Sequence, residues 1–300
     1  MKILTAIVTH NRVKLLERCI DHVLGQTRPP DGLLVINNGS SDRTVEMLQC
    51  KKVNFITQDN VGGAGGWNRA IDEALAGDWD AVWLMDDDGF PEASALGFLE
   101  EALVPGGACV SCVVMCEDDP DRFVFPFPVL NDADLPIIVG KRRKLRRFAD
   151  LRAIASGSTY PFAHLFNGAL IRTEAIRKIG NVDQRFFLMG DEVDYFMRLR
   201  SGGFVVSDLR ARHFHPDVTQ RPLNPIKFYY YVKNTLILNR RYFDKILLRD
   251  AMAVIAALFR TARRNSLSEA ASYLVGRHAP LLWKAVRRGC TGNPSDDFDA

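Results

Sequence analysis

The sequence has no apolar run long enough to cross a bilayer, which takes roughly 20 residues. In its C-terminal third the longest uncharged apolar stretch is Ala251 to Phe259. A membrane-spanning helix is thereby excluded. Cysteine is scarce, six in 300 residues and unevenly placed, which argues against a disulfide framework and for a reducing, cytoplasmic setting. Cys109, Cys112 and Cys116 share one apolar stretch with no second Cys/His pair at zinc-like spacing nearby, so they read as small core residues of a buried strand. Met1 to Thr9 begins like a secretory leader. It runs straight into His10-Asn11-Arg12 without a long apolar region or a small-residue cleavage site, and reads as a first buried strand.

What is present is globular in balance, 47% hydrophobic and 25% charged. The net charge of +3 is unevenly spread. From Arg221 onward 14 Lys/Arg stand against 6 Asp/Glu, while the first 220 residues hold 25 against 30. The body is acidic and the tail basic, a polarity that favours an anionic surface such as phospholipid head groups or nucleic acid.

Strand-like and helix-like runs alternate through the first half. Ile3 to Thr9 precedes Leu15, Leu16, Cys19, Ile20 and Val23 at helical spacing, then comes a strand at Leu33 to Ile36. A short helix follows from Thr44 to Leu48, capped by Ser41 or Asp42, then a strand at Val53 to Ile56, a helix at Trp67 to Leu75 and a strand at Ala81 to Met85. The series predicts an α/β fold, a mostly parallel sheet flanked by helices. Ligands of such sheets bind at the carboxyl ends of the strands, where the loops after Thr9, Asn37 and Met85 gather. Glu117 to Tyr160 has poor periodicity and contains the basic run Lys141 to Arg147; it reads as a solvated loop over the site, with a phosphate-binding patch as the alternative. Order returns at Leu165 to Ile171, and after Pro225 the chain is helical, basic and aromatic. A boundary near there gives two parts, 1–225 and a C-terminal helical extension, 226–300.

Asp86-Asp87-Asp88 ends an apolar run. Residues two apart in extended chain share a side, so Asp86 and Asp88 are expected to face one ion, and carboxylate oxygens suit Mg²⁺ or Mn²⁺ together with substrate phosphates. The plainer reading is a solvated acidic turn. Gly62 to Gly66 precedes a helix but lacks the Gly-Lys-Ser/Thr ending of a phosphate loop, and Asn68 breaks a dinucleotide pattern. It leaves a backbone that a ligand approaches closely, or a flexible connector. Asp191-Glu192-Val193-Asp194 opens a helix whose Val193, Phe196, Met197 and Leu199 are expected to face the core. Acids in a first turn are held ionised, which suits proton removal from a hydroxyl and equally suits ordinary capping. His213 and His215 flank Phe214 in a strand-like stretch and share a face.

In chain order, Thr9 to Arg12, Asn37 to Thr44, Asn60 to Asn68, Asp86 to Asp88, Asn167 to Leu170 and Asp191 to Tyr195 resemble the motifs of inverting family 2 glycosyltransferases with a GT-A fold, in the rhamnosyltransferase and galactofuranosyltransferase branch. The likeness covers about residues 1–220. It implies that Asp86 and Asp88 hold Mn²⁺ or Mg²⁺ on the diphosphate of a nucleotide-sugar donor, with His215 completing the shell. It implies a donor pocket lined by Thr9, Asn11, Arg12, Asn38 and Asn60, with Trp67, Asn68 and Asp87 nearby. Glu192 becomes the catalytic base, although relatives usually carry aspartate there, and Asp191 is the alternative. Asn37 also departs from a frequent aspartate. UDP-galactofuranose and dTDP-rhamnose are the donors implied, with a glycan or polyprenyl-linked acceptor.

Two rivals compete. A sugar-phosphate nucleotidylyltransferase calls for a Gly-rich basic loop after the first strand, and Thr9-His10-Asn11-Arg12 has no glycine. A non-catalytic module on an anionic surface leaves the acids without a role. From Ile226 to Arg288 13 Lys/Arg stand against 3 Asp/Glu with aromatics interspersed, as expected of helices lying on the inner face of the cell membrane. A solvated basic face or a homo-oligomer contact is the alternative; nucleic acid is not the expected partner.

Overall fold

The computed structural model describes every residue except 139, 141, 142, 219, 220, 293, 295, 296 and 298–300. The chain runs β1 Ile3–Thr9, α1 Val13–Leu24, β2 Gly32–Asn38, α2 Thr44–Lys51, β3 Asn54–Gln58, α3 Gly62–Ala76, β4 Ala81–Asp86 and β5 Phe90–Pro91. Then follow α4 Ala95–Ala102, β6 Gly107–Cys116, β7 Asp119–Pro128, β8 Lys144–Arg147, α5 Phe148–Arg152, β9 Thr159–Tyr160, β10 Asn167–Arg172, α6 Thr173–Ile179, α7 Asp191–Gly202 and β11 Phe204–His215. The last helices are α8 Pro225–Tyr242, α9 Ile246–Arg264, α10 Leu267–Ser272 and α11 Ala279–Thr291. Two compact units result, Met1–Val182 with Tyr195–Asp217, and Asp183–Asp194 with Val218–Ala300. The second takes in 183–194, which a single cut near residue 225 leaves with the first.

The first unit is built on a sheet of strand order β3-β2-β1-β4-β10-β6-β11-β5. β3, β2, β1 and β4 are parallel, as the alternation of elements predicts; β10 inserts antiparallel between β4 and β6, so the whole sheet is mixed. All seven residues of β1 are buried because helices cover both faces. On one face pack Leu16, Cys19, Ile20 and Val23 of α1, the apolar stripe predicted for that helix. On the other pack Trp67, Ala70 and Ile71 of α3. Cys109, Cys112 and Cys116 are buried strand residues of β6.

Several expectations change. The glycine run is no connector: α3 begins at Gly62, five residues before the predicted start. Its glycines let the helix close on β1, since a Cβ on Gly66 would lie 2.5 Å from Val8 Cγ1. Glu117 to Tyr160 is not one solvated loop either. β7 pairs with β6 and β8, and Phe123, Phe127, Leu145 and Leu151 form a small core with Val113, Met115 and Tyr160. The basic run enters β8, where Arg147 pairs with Asp121 at 2.9 Å; Lys141 and Arg142 lie outside the described residues. In α7 the buried apolar positions are Tyr195, Phe196 and Leu199, with Met197 half-buried, whereas Val193 is exposed. The N-cap of α2 is Arg43 and not Ser41 or Asp42, although Asp42, one residue earlier, accepts from the Thr44 backbone N–H at 3.1 Å.

In the second unit α8 is the spine. Its Phe228, Tyr229, Tyr230, Val232 and Leu236 pack with Ala253 and Ala257 of α9, Tyr273, and Leu282 and Ala285 of α11. Gly289 allows the close α8–α11 crossing, because a Cβ there would lie 2.9 Å from the Lys233 carbonyl oxygen.

Candidate functional site

The loops after β1, β2 and β4 meet at the carboxyl edge of the parallel strands. His10 Nδ1 lies 2.9 Å from the Asn38 carbonyl oxygen, and the Asn11 backbone N–H donates to Ser40 Oγ at 3.0 Å. Asn11 takes φ 55°, and its Oδ1 accepts from the Ser41 N–H at 2.7 Å, tying the first loop to the second. Thr9, the last residue of β1, donates its hydroxyl to Asp87 Oδ2 at 2.6 Å.

The acid triplet is arranged differently from an extended strand. β4 ends at Asp86 and Asp87-Asp88 turn, so the two-residue alternation that set Asp86 and Asp88 against Asp87 does not extend through Asp88. Asp87 and Asp88 instead converge on one cation: Arg12 Nη1 stands 2.8 Å from Asp87 Oδ1 and 3.0 Å from Asp88 Oδ2. Both carboxyls are nearly sealed from solvent. Burial pushes the Asp87 carboxyl above its usual range, against the pull of Arg12 and the Thr9 hydroxyl. Burial opposes the Arg12 charge, yet Asp87 and Asp88 hold the guanidinium above its ordinary value. On its other side, Asp88 Oδ1 lies 2.9 Å from His215 Nε2, and His215 Nδ1 lies 2.7 Å from the Pro216 oxygen. A carbonyl only accepts, so Nδ1 carries a proton and Nε2 faces a carboxylate oxygen. Two such acceptors are stable face to face only with a cation between them, either a proton or a metal ion.

His213, two residues back, is sealed between Gly89 and Gly168. A Cβ on Gly89 would lie 2.2 Å from its Nε2, neither ring nitrogen has a hydrogen bond, and burial pushes it down to about 3. It is a neutral wedge behind the acid turn.

Three residues expected in the donor pocket are committed elsewhere. Trp67 is 3% exposed and stacks on Phe166 with ring centroids 4.4 Å apart, so it belongs to the core. Asn68 donates to the Val182 carbonyl at 2.9 Å. The Asn38 amide is buried, donating to Asn60 Oδ1 at 3.1 Å and to the Gly62 oxygen at 3.0 Å, so it shapes the loop that carries Asn60. Arg18, which sequence reasoning passed over, also borders the turn, donating to Glu117 Oε1 at 2.6 Å and to the Asp88 oxygen at 3.4 Å.

Asp191 and Glu192 stand at the start of α7 in the second unit. The segment before them is unusual: Phe187, Met189 and Gly190 take φ of 56°, 64° and 98°. Asn234 of α8 holds that shape, its Nδ2 donating to the Phe186, Leu188 and Met189 oxygens at 3.1, 3.1 and 2.6 Å. Asp194 is pinned by the Tyr242 hydroxyl at 2.7 Å and Arg241 Nη1 at 3.1 Å. Asp191 is buried and Glu192 half-buried. Desolvation pushes Asp191 up to about 6, while its own and Glu192's backbone N–H groups pull it back. Asn234, Arg241 and Tyr242 were missed from sequence. The signal that could have found them is Lys233-Asn234, two polar residues within an apolar helix stripe.

Residues 5–179 match the family model described as Glycosyl transferase family 2, more than half of the chain. The chain belongs to this family. A family 2 glycosyltransferase relative, galactofuranosyltransferase GlfT1 of Mycolicibacterium smegmatis, is 36% identical over 223 residues, covering 70% of this chain and 69% of its own. GlfT1 of Mycobacterium tuberculosis is 37% identical over 229 residues, covering 71% and 70%. Among solved structures, the mannosyltransferase PcManGT from Pyrobaculum calidifontis, in complex with GDP-Man and Mn²⁺, superposes with a TM-score of 0.56 at 16% identity over 95% of this chain and 79% of that one. S. aureus TarS 1-349 gives 0.55 at 14% identity over 98% and 81%. These likenesses show the GT-A-type α/β fold with C-terminal helices. As a family 2 glycosyltransferase, the protein is not the sugar-phosphate nucleotidylyltransferase that the glycine-free loop after the first strand already spoke against.

Among the described residues no three His, Cys, Asp or Glu side chains are clustered as in a formed metal site. The donor types nonetheless fit a divalent cation: carboxylates at Asp86 and Asp88, and the His215 imidazole, whose Nε2 faces Asp88.

Proposed function

We propose that this glycosyltransferase moves a sugar from a nucleotide-diphosphate donor, UDP-galactofuranose or dTDP-rhamnose, to a hydroxyl of a glycan or polyprenyl-linked acceptor with inversion. The observation that carries the reading is the buried acid turn, with Asp87 and Asp88 shared by Arg12 and His215 at the carboxyl edge of β4. Asp86, Asp88 and His215 are the groups that would hold Mn²⁺ or Mg²⁺, which when bound offsets charge on the departing diphosphate. Thr9 and Arg12 keep Asp87 in place; Asn11, Asn38 and Asn60 shape the loops that take the nucleotide. Glu192 takes the proton of the acceptor hydroxyl, with Asp191 as the neighbouring carboxyl. In this division of labour residues 1–225 bind the donor and act on it, and 226–300 support the acceptor.

The acceptor is met, in this proposal, on the inner, cytoplasmic face of an anionic membrane. No described helix is long and apolar enough to cross a membrane. Eleven of the 16 exposed large apolar residues among those described lie in the second unit, less than a third of the chain. Leu247, Leu248, Ile255 and Phe259 line the outer side of α9, with exposed Arg263, Arg277 and Arg287 in the same unit. That sign of charge repels a second copy and attracts phospholipid head groups.

The test is a screen of both nucleotide sugars for release of nucleoside diphosphate with Mn²⁺ or Mg²⁺. Asp88→Asn is expected to reduce turnover at least about a hundredfold, as loss of a charged ligand does. Undiminished turnover of that variant, or of the native enzyme in excess chelator, overturns the metal assignment; release of pyrophosphate in place of the diphosphate overturns the reaction.

A further inference from the structure

The loops after β1, β2 and β3 are tied to one ring. His10 Nδ1 lies 2.9 Å from the Asn38 carbonyl oxygen, and its Nε2 lies 3.1 Å from Asn11 Nδ2 and 3.5 Å from Asn60 Nδ2. The orientation of both amides is fixed from their other ends. Asn11 Oδ1 accepts from the Ser41 and Asp42 N–H groups at 2.7 and 3.3 Å, and Asn60 Oδ1 accepts from Asn38 Nδ2 and the Gly62 N–H, each at 3.1 Å. Both Nδ2 groups are thereby left facing the imidazole, and an amide nitrogen only donates. Nε2 is therefore an acceptor without a proton, while Nδ1, against a carbonyl, carries one. Gly39, with φ 74°, brings the second loop against the third, since a Cβ there would lie 2.9 Å from the Asn60 backbone nitrogen.

We propose that His10 is a positioning residue of the nucleotide pocket, that it joins these three loops only as the neutral imidazole, and that acid therefore loosens the hold on a nucleoside diphosphate. The inference rests on the proposed nucleotide-sugar donor, whose loops these are. A second proton on the ring has to go on Nε2, where its N–H meets two amide N–H groups. Neither amide can turn without giving up the bonds on its oxygen. The ring is exposed, so protons reach it in the free protein. The charged groups on the same loops are engaged elsewhere or point to solvent. Arg12 is on Asp87 and Asp88, Asp42 on the Val13 and Thr44 N–H groups, and Arg43 on Glu46, while Asp59 is exposed. Among the described residues no carboxylate bonds the ring to hold an imidazolium in place of the lost amides. Protonation thus unties the loops from one another, and a nucleotide that needs them assembled competes with that proton.

The test is calorimetric titration of the full-length protein with UDP and with dTDP, in Mg²⁺, at pH 8 and pH 5.5. The terminal phosphate of either ligand also takes up a proton over this range, so the native protein is compared with His10→Gln, on which that change acts equally. Glutamine reaches toward the place of Nε2 with an oxygen that accepts from both amides at either pH. Between the two pH values, native affinity is expected to fall at least about tenfold more than that of His10→Gln. His10→Phe keeps a flat ring without its nitrogens and is expected to bind at least about tenfold more weakly than the native protein at pH 8, with His10→Gln recovering part of that loss. An equal fall in native protein and His10→Gln overturns the proposal, as does a His10→Phe variant that binds as the native protein does. Two readings need no ligand. At pH 8, nitrogen NMR of the free protein is expected to show Nδ1 protonated and Nε2 bare, and hydrogen exchange at the Ser41, Asp42 and Gly62 amides is expected to be at least about tenfold faster in His10→Phe. A protonated Nε2, or unchanged exchange, overturns the tie itself. If both readings hold while neither nucleotide binds the native protein at either pH, the donor reading is what fails.

Discussion

Burial pushes the Asp191 carboxyl, at the head of α7, up to about 6. Burial penalises its ionised form, so the folded chain binds that proton more readily than the unfolded chain. The resulting contribution to stability is complete below the ordinary carboxylate range and is lost as pH rises through about 6. Asp191→Asn, which cannot ionise, is therefore expected to raise Tm at about pH 8 and to leave it little changed near pH 4. An unchanged Tm at the higher pH shows that the carboxyl is not desolvated in solution. The same shift separates the two proposed bases. With Asp191 as base the acid limb of kcat falls near 6, and a limb displaced from there removes Asp191 from that role.

α3 shows how much of an element can be read from sequence and where reading stops. Its apolar spacing from Trp67 onward was legible, but the five residues before it, four of them glycine, look like a connector by propensity. Tertiary approach overrides propensity here, because Gly66 has no room for a side chain against Val8. Gly66→Ala is expected to lower stability by about 1–3 kcal/mol by denaturant titration, despite alanine's better helix propensity; a stabilised variant means that α3 stands off β1. The acids were legible as a cluster, and a turn stood beside the extended reading, but as a solvated one; nothing local announces that Asp87 and Asp88 are buried there and share Arg12. The sheet's parallel half was legible through alternation, whereas the antiparallel insertion of β10 depends on contacts with β4 and β6 far away in sequence. The 187–190 segment was not legible at all, because its shape is imposed by Asn234 from α8, more than 40 residues on. Asn234→Ala removes the donor to three carbonyls and is expected to cost about 2 kcal/mol of stability and most of kcat, with the KM for donor nearly unchanged. A rise in donor KM with kcat intact moves the segment out of the catalytic step.

At the scale of the molecule, the outer side of α9 decides whether the tail serves a membrane. The full-length protein is expected to sediment with phosphatidylglycerol-containing vesicles, more as anionic lipid rises and less as salt rises. Replacing Leu247, Ile255 and Phe259 together by Ser is expected to abolish sedimentation while leaving Tm unchanged, because all three side chains are exposed. Native protein that ignores such vesicles at low salt, or a triple variant that still binds, removes the membrane from the proposal. The cysteines have a practical consequence. Cys19, Cys109, Cys112 and Cys116 are buried, and desolvation drives the first three thiols well above their ordinary value, so they resist alkylation. Cys50 and Cys290 are exposed, the first in one compact unit and the second in the other. The native chain therefore carries its own pair of attachment points for spin labels or fluorophores, and the distance between them, followed as nucleotide sugar is added, reports whether the two units move during turnover.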